Sequence, residues 1–207
     1  MNIQDWRQDY NKYSIDESTL PNSPFDLFKA WFDKAVEDKN PEPNAFVLTT
    51  CMDQIPSSRV VLLKEIEEEK FVFYTNYDSQ KGKAMAINPN VSLLFFWPYS
   101  QRQIRIQGVV SKMSREKAVE YFNTRPEQSR ISAISSPQSA VITKEKLVDN
   151  TVRVMEKQVL DCPIHWGGYG VEVSQFEFWQ GQPARLHDRI VFKKISESQW
   201  EVYRLAP

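Results

Sequence analysis

Glycine, cysteine and histidine are all scarce in this chain of 207 residues. The six glycines form neither the G-x-G-x-x-G turn of a dinucleotide site nor a P-loop, so a bound phosphate would need side-chain cations and hydroxyls. Cys51 and Cys162 are too few for a disulfide framework and have no metal or redox spacing. His165 and His187 belong to no zinc motif. We therefore expect no metal, and we expect both cysteines to be buried free thiols in a reducing compartment.

The chain also lacks a strong net charge and a long apolar run. Lysine and arginine total 26 and aspartate and glutamate total 27, for a formal charge of −1. The dispersed cations give no field that would recruit nucleic acid or an anionic membrane. No stretch approaches the roughly 20 apolar residues of a membrane helix, and residues 1–13 are too polar for a secretory signal. These features predict a soluble, cytoplasmic protein.

The periodicity predicts a mobile N-terminal arm over residues 1–22 and a single domain over residues 23–207. Ser23 and Pro24 are a typical helix start, and apolar residues then recur at helical spacing. Most of the later segments have the length and composition of strands. The predicted strands are 45–50, 58–65, 71–76, 91–97, 101–112, 170–179, 189–195 and 200–205, and the later predicted helices are 79–87, 114–123 and 143–158. Many strands without βαβ alternation favour an antiparallel barrel with peripheral helices.

The segment Glu177–Arg189 is the most informative for function. In a strand, Arg185, His187 and Arg189 would project from one face, and such a row could bind anions and handle protons. A solvated strand face would show the same alternation, so the residues alone leave both interpretations open. The preceding aromatic run, which ends at Trp179, offers an apolar wall beside the charges.

This segment, E-F-W-Q-G-Q-P-A-R-L-H-D-R, resembles the C-terminal signature of the pyridoxine/pyridoxamine 5'-phosphate oxidases. The closing R-L-A-P resembles the usual end of those enzymes. The likeness continues upstream through R-V-V-L-L-K at 59–64, F-Y-T-N at 73–76 and Y-F-N-T-R-P at 121–126, and so spans most of the chain. It implies the FMN-binding split β-barrel and a homodimer with flavin sites at the subunit interface.

The resemblance also implies a set of FMN contacts. Lys81, at a predicted helix start that itself favours an anion, matches a lysine at the FMN phosphate. Its neighbour is often arginine in the family but is Gln80 here, which predicts weaker retention of the cofactor. The strand 59–64 could equally place its two terminal cations in solvent if it is considered alone. The implied FMN contacts are Arg59, Val60, Val61, Leu62, Leu63, Lys64, Tyr74, Thr75, Gln80, Lys81, Gln103, Gln138, Ser139, Trp179 and Arg189.

A second phosphate site is suggested by Tyr121, Arg125 and Ser129, which are spaced by four. Their hydroxyl and guanidinium groups could converge on one anion. A helix end with a dipole-favoured arginine is the alternative that the residues leave open. The resemblance implies that these three residues, together with Lys64, bind the 5'-phosphate of a vitamin B6 substrate.

The opposite end of that substrate is implied to lie against Arg185, Leu186 and His187. Of these, Arg185 and His187 are the implied catalytic residues, and a protonated arginine would act as an electrostatic clamp and not as a base. Arg7 and Tyr10 fit an R-x-x-Y pattern that in relatives closes over the bound substrate.

The implied function is FMN-dependent oxidation of pyridoxamine or pyridoxine 5'-phosphate to pyridoxal 5'-phosphate. Hydride would pass from C4' of the substrate to N5 of the flavin, and O2 would reoxidise the flavin and yield hydrogen peroxide. Two other functions stay open. A flavin reductase on the same fold would be reduced by NAD(P)H, and a non-catalytic carrier of pyridoxal phosphate would contain no flavin.

Overall fold

Nine β-strands and five α-helices make up most of the regular structure of the described residues, 2–5 and 8–207, in the computed structural model. The strands are β1 (Ala45–Met52), β2 (Ile55–Leu62), β3 (Glu65–Glu67), β4 (Lys70–Asn76), β5 (Asn90–Trp97), β6 (Arg102–Lys112), β7 (Trp166–Gln180), β8 (Asp188–Ser196) and β9 (Gln199–Arg204). The α-helices are α1 (Pro24–Glu37), α2 (Gln80–Ile87), α3 (Arg115–Thr124), α4 (Glu127–Ser135) and α5 (Lys144–Lys157). Two 3₁₀ helices cover Glu17–Thr19 and Pro183–Arg185.

The strands belong to one mainly antiparallel sheet that is not closed. Their order is β2-β1-β5-β6-β7-β4-β3, with β8 beside β7 and β9 beside β8. Strand β4 pairs with the first half of β7, where Phe73 lies opposite Tyr169, and β8 pairs with the second half, where Ile190 lies opposite Phe178. The predicted class, mainly β with peripheral helices, is confirmed.

The chain divides into two compact units. The first contains Met1–Leu48, Ser92–Gly108 and Val173–Pro207, and the second contains Thr49–Val91 and Val109–Glu172.

Helix α1 forms part of the core of the first unit. The side chain of Ser23 caps it by accepting a hydrogen bond from the backbone N–H of Phe25 at 3.2 Å. Its apolar stripe buries Phe28 and Trp31, which are 2% and 5% exposed, and the ring of Phe28 lies edge-on to Phe95 at 5.2 Å. The predicted cap and helical periodicity are therefore the features that dock this helix.

Helix α4, in the second unit, was not predicted. Helix α3 ends at Thr124, and Pro126 is the N-cap of α4, so the expected break lies where it was predicted. A proline disfavours helical backbone in the residue before it, but its own fixed φ is compatible with a helix that begins directly afterwards. The chain therefore turns at Arg125 and Pro126 and continues as a second short helix.

Both cysteines are free, as predicted, but they are half-buried and not buried. Cys51 lies near the end of β1, where the alternation of buried and less buried positions ends. Cys162 lies in the connection that leads into β7. Over the described residues, no helix is both long and apolar enough to cross a membrane.

We predict that Phe28→Ala lowers the free energy of unfolding by about 3–5 kcal/mol, because a buried aromatic ring is lost and a cavity remains. Val36→Ala on the same helix is the control. Its side chain is 51% exposed, and we expect a change within about 0.5 kcal/mol. Urea denaturation measures both values. Equal, small effects would contradict the assignment of this face of α1 to the core.

Candidate active site

A cavity of about 890 Å³ in the second unit brings together most of the predicted binding residues. Strand β2, the end of β4 and helices α2, α3 and α4 contribute to its walls. The predicted residues that line it are Arg59, Val60, Val61, Leu62, Lys64, Tyr74, Thr75, Gln80, Lys81, Tyr121, Arg125, Ser129, Gln138 and Ser139. Leu63 is buried and does not line this cavity.

Lys81 is a buried cation in the wall of this cavity, only 7% exposed. Its Nζ donates to the hydroxyls of Thr75 at 3.1 Å and Ser79 at 3.3 Å. Among the described residues, no carboxylate lies within ion-pair distance of it. Burial, and then the nearby charge of Arg59, lowers the pKa of Lys81 to about 8. An anion bound beside Lys81 would offset both the burial of its charge and the repulsion from Arg59.

Arg59 contributes the second positive charge. Its guanidinium donates to the hydroxyl of Thr50 at 2.8 Å and to the carbonyl and hydroxyl oxygens of Ser57, both at 2.9 Å. Burial lowers the pKa of Arg59. The side chain is therefore held in a fixed direction while its charge acts on Lys81.

The position of Lys81 depends on a close approach between α2 and the preceding turn. A Cβ at Gly82 would lie 2.1 Å from the carbonyl oxygen of Tyr77, which a larger residue could not occupy without moving the backbone. The hydroxyl of Ser79 caps the helix by accepting from the N–H of Gly82. Glycine at this position thus lets the helix begin at the wall of the cavity.

A second cationic group lines the same cavity at Arg125. Within the described part of the chain, its buried Nη1 has no hydrogen-bond partner, and its Cζ lies 4.7 Å from the centre of the Trp166 ring. Burial lowers the pKa of Arg125. Tyr121 and Ser129 line the cavity with it. A buried guanidinium with an unused donor suits a further anion.

An aromatic stack supports this second group. The rings of Tyr74 and Tyr121 lie 4.0 Å apart, and Trp166 lies 5.5 Å from Tyr74, with all three rings nearly parallel. The hydroxyl of Tyr74 donates to Glu65 at 3.2 Å. Burial, and then the carboxylate of Glu65, raises the pKa of Tyr74. These contacts fix Tyr121 through its ring face.

The remaining predicted residues belong to the first unit. His187 lies 4.7 Å from the Trp179 ring and 5.8 Å from the Tyr10 ring, measured between ring centres. Gln103 is half-buried on β6. Arg7, the other predicted residue of the arm, lies outside the described residues.

The expectation that Arg185, His187 and Arg189 share one strand face is wrong. Arg185 lies in a 3₁₀ turn with a φ of 63° and is exposed, as is Leu186, and β8 begins only at Asp188. Pro183 starts this turn, because its ring fixes φ and removes the N–H that a strand would need. Of the three residues, only Arg189 is in a strand.

Arg189 is held by a buried carboxylate. Its Nε and Nη2 donate to Oε1 of Glu177 at 2.9 and 2.8 Å, and Arg105 donates to Oε2 at 3.0 Å. Nη1 of Arg189 donates to the carbonyl oxygen of Ala206 at 2.9 Å. Glu177 is 5% exposed. Unlike Lys81, this cation is already matched by a protein anion.

Comparisons with known proteins identify the family. A model described as "Pyridoxamine 5'-phosphate oxidase" matches residues 32–158, and one described as "Pyridoxine 5'-phosphate oxidase C-terminal dimerisation region" matches residues 166–207. A relative from Leptospira interrogans, named pyridoxine/pyridoxamine 5'-phosphate oxidase, is 45% identical over 99% of this chain and 98% of its own. One of the same name from Bordetella pertussis is 43% identical over 100% of both chains.

The chain belongs to the pyridoxine/pyridoxamine 5'-phosphate oxidase family. The crystal structure of PhzG from Burkholderia lata, in complex with tetrahydrophenazine-1-carboxylic acid, has the same fold, with a TM-score of 0.86 and 26% identity over 92% of this chain and 95% of that one. The predicted family is confirmed, and with it FMN as cofactor and an oxidoreductase of B6 vitamers. The dimerisation region supports a homodimer.

Some cavity residues were not predicted. Trp166, which contacts Tyr74 and Arg125, begins β7 four residues before the predicted strand start at Gly170. The run W-G-G-Y-G hides the start of this strand, because glycine weakens strand propensity. The other unpredicted residues that line the cavity are Ser57, Ser58, Asn76, Thr124, Pro126, Ser132, Ala133 and Ser136.

The pKa of Lys81 predicts how stability depends on pH. Its folded-state value of about 8 lies below its ordinary value of about 10.4, so the folded state binds fewer protons between these limits. Stability of the FMN-free protein in phosphate-free buffer should therefore rise with pH in this window, by at most about 1.4 kcal/mol per pH unit from this group. Lys81→Met should remove that component.

Urea denaturation at several pH values between 7.5 and 10 measures this difference. The exposed Lys83 on the same helix supplies the control variant, Lys83→Met, which should keep the wild-type pH profile. Identical profiles for wild type and Lys81→Met would contradict the assignment of a buried, unmatched charge to Lys81.

Proposed function

We propose that this protein is an FMN-dependent oxidase that converts pyridoxamine or pyridoxine 5'-phosphate to pyridoxal 5'-phosphate. One observation carries the proposal. A single cavity is lined by two cationic groups, Lys81 with Arg59 and Arg125 with Tyr121, and neither Lys81 nor Nη1 of Arg125 has a carboxylate partner among the described residues. A phosphorylated cofactor and a phosphorylated substrate require two such groups.

The residues around Lys81 fit the phosphate of FMN. Lys81 and Arg59 would hold it by charge-assisted hydrogen bonds, with the start of α2 beside them. Gln80 lies at this point and is exposed, and the weaker cofactor retention expected from it stays a prediction. When bound, FMN supplies the two-electron oxidation and passes the electrons to O2, which yields hydrogen peroxide.

The residues around Arg125 would hold the substrate phosphate. Arg125, Tyr121, Ser129 and Lys64 all line the cavity and offer the donors that a phosphate dianion accepts. This phosphate is remote from the bond that is oxidised, so its binding energy would serve to hold the reacting carbon in place.

The first unit would supply the residues at the reacting end. Arg185 is exposed and permanently charged, so it would orient the substrate ring as an electrostatic clamp. Gln103, Trp179 and Arg189 would contact the flavin. We further propose that each flavin lies at the interface of a homodimer, as the family resemblance implies, and that Arg7 and Tyr10 close over the substrate. The mobility of the arm and the cytoplasmic location stay predictions from the sequence.

Anaerobic mixing of the FMN-reconstituted protein with pyridoxamine 5'-phosphate tests the proposal directly. The oxidised flavin absorption band should bleach, and admission of air should restore it with pyridoxal 5'-phosphate and hydrogen peroxide as products. An unchanged band with flavin bound would refute the oxidase and favour the reductase, which NAD(P)H should then reduce. Failure to bind flavin would favour the carrier.

We predict that Arg125→Ala raises KM for pyridoxamine 5'-phosphate by roughly 10- to 100-fold, because a charge-assisted hydrogen bond contributes about 1.5–3 kcal/mol. The affinity for FMN should change little. Steady-state kinetics and flavin titration measure the two quantities. The exposed Arg153 on α5 provides the control Arg153→Ala, and an unchanged KM in Arg125→Ala would remove Arg125 from the substrate site.

We predict that Arg185→Ala lowers kcat by about 100-fold, the effect typical of removing one electrostatic contact to the reacting groups. The FMN content of the purified protein should stay at the wild-type level, because Arg185 is an exposed residue of a turn. The bound flavin absorbance and the turnover number are measured on the same sample. Parallel losses of both would show that the role of Arg185 is structural.

A further inference from the structure

The backbone of Gln182 contacts His187, and the side chain of Gln182 contacts the N-terminal arm. Its backbone N–H donates to Nδ1 of His187 at 3.0 Å. Its side-chain Nε2 donates to the carbonyl oxygen of Tyr13 at 2.8 Å and to Oδ2 of Asp188 at 2.7 Å. One residue thus connects the N-terminal arm, the start of β8 and the imidazole.

The backbone contact fixes which nitrogen of His187 carries the proton. A backbone N–H can only donate, so Nδ1 must offer its lone pair. In the neutral ring the single proton is then on Nε2. His187 therefore presents a hydrogen-bond donor at Nε2 and cannot accept a proton there.

The arm is held to the same region by several further bonds. Oε1 of Gln101 accepts from the backbone N–H groups of Asn11 and Lys12 at 2.9 and 3.0 Å. Asp188 Oδ2 accepts from the N–H of Ile15 at 3.2 Å. Asp188 also accepts a hydrogen bond from Gln182. A displacement of the arm would therefore alter the hydrogen bonds of the Gln182 side chain.

The ring of His187 is also enclosed on two sides. It lies against Trp179 and Tyr10. A Cβ at Gly181 would lie 2.6 Å from the Tyr10 ring, so the position of Tyr10 requires glycine at residue 181. Ala184 and Arg185 have φ values of 53° and 63°, a conformation that residues other than glycine adopt only where their surroundings impose it. The backbone beside the His187 ring is therefore strained at these two residues.

We propose that Gln182 is a positioning residue that couples the arm to His187 and sets His187 as a hydrogen-bond donor through Nε2. The proposal rests on the function proposed above, together with the position of His187 against the substrate ring that the family resemblance implies. It specifies the role of His187: the imidazole donates a hydrogen bond to an oxygen or nitrogen acceptor of the substrate ring and takes no proton during the oxidation.

Nitrogen-15 NMR of the histidine rings in the FMN-reconstituted full chain tests the first part. The chain has two histidines, and His165→Gln assigns the signals. The expected result at neutral pH is a His187 ring with an unprotonated Nδ1 and a protonated Nε2. A proton on Nδ1 would overturn the proposal. This readout needs no turnover, so it stands apart from the test of the oxidase itself.

Variants of Gln182 test the coupling. Gln182→Glu keeps the size but cannot donate to Tyr13 or Asp188, so we expect a mixture of His187 tautomers and a kcat at least about tenfold lower, with unchanged FMN affinity. Gln175→Ala, a half-buried glutamine on β7, should behave as wild type. A Gln182→Glu protein with a single Nε2–H tautomer and wild-type kcat would overturn the proposal.

Two variants of His187 test the donor role without depending on whether Gln182→Glu folds. His187→Gln can place an amide donor near the position of Nε2, whereas His187→Asn reaches only the position of Nδ1. We expect His187→Gln to retain at least about tenfold more kcat than His187→Asn. Equal activities would overturn the donor role.

Discussion

The charge of Lys81 is the constraint on which the active site depends. A buried ammonium group with only hydroxyl partners is unfavourable, and the nearby charge of Arg59 makes it more so. The fold nevertheless holds Lys81 in this position, because Ser79 caps α2 and Gly82 allows the helix to pack against Tyr77. A phosphate bound beside Lys81 would match this charge, and its binding would then contribute to the stability of the fold.

The cations of this protein divide according to what neutralises them. Arg189 and Arg105 share the buried carboxylate of Glu177, so their charges are matched within the chain. Lys81 and Arg125 have no such partner among the described residues. This contrast separates cations whose charge is matched within the protein from cations whose charge a ligand would match in the proposed function. In the proposed function, these unmatched cations would let a chain of near-zero net charge bind two phosphates without a glycine-rich loop.

Much of the fold and of the candidate site could be predicted from the sequence. The features that could not be predicted have physical reasons. The capped helix α1 and most strands follow from local periodicity, and the cavity residues follow from the family motifs. The prediction of one strand face through Arg185 was wrong because Pro183 starts a turn. Helix α4 was not predicted because Pro126 indicated the end of a helix. Trp166 was missed because its contacts with Tyr74 and Arg125 join residues distant in sequence, which no local pattern records.

FMN and riboflavin differ by the phosphate alone, so a comparison of their binding isolates the contribution of Lys81. Calorimetric titration of the flavin-free protein should show FMN binding far more tightly than riboflavin. Lys81→Met should reduce this preference by roughly 10- to 100-fold while leaving riboflavin affinity unchanged. Equal weakening of both ligands, or no weakening of either, would contradict the account that Lys81 holds the phosphate of the cofactor.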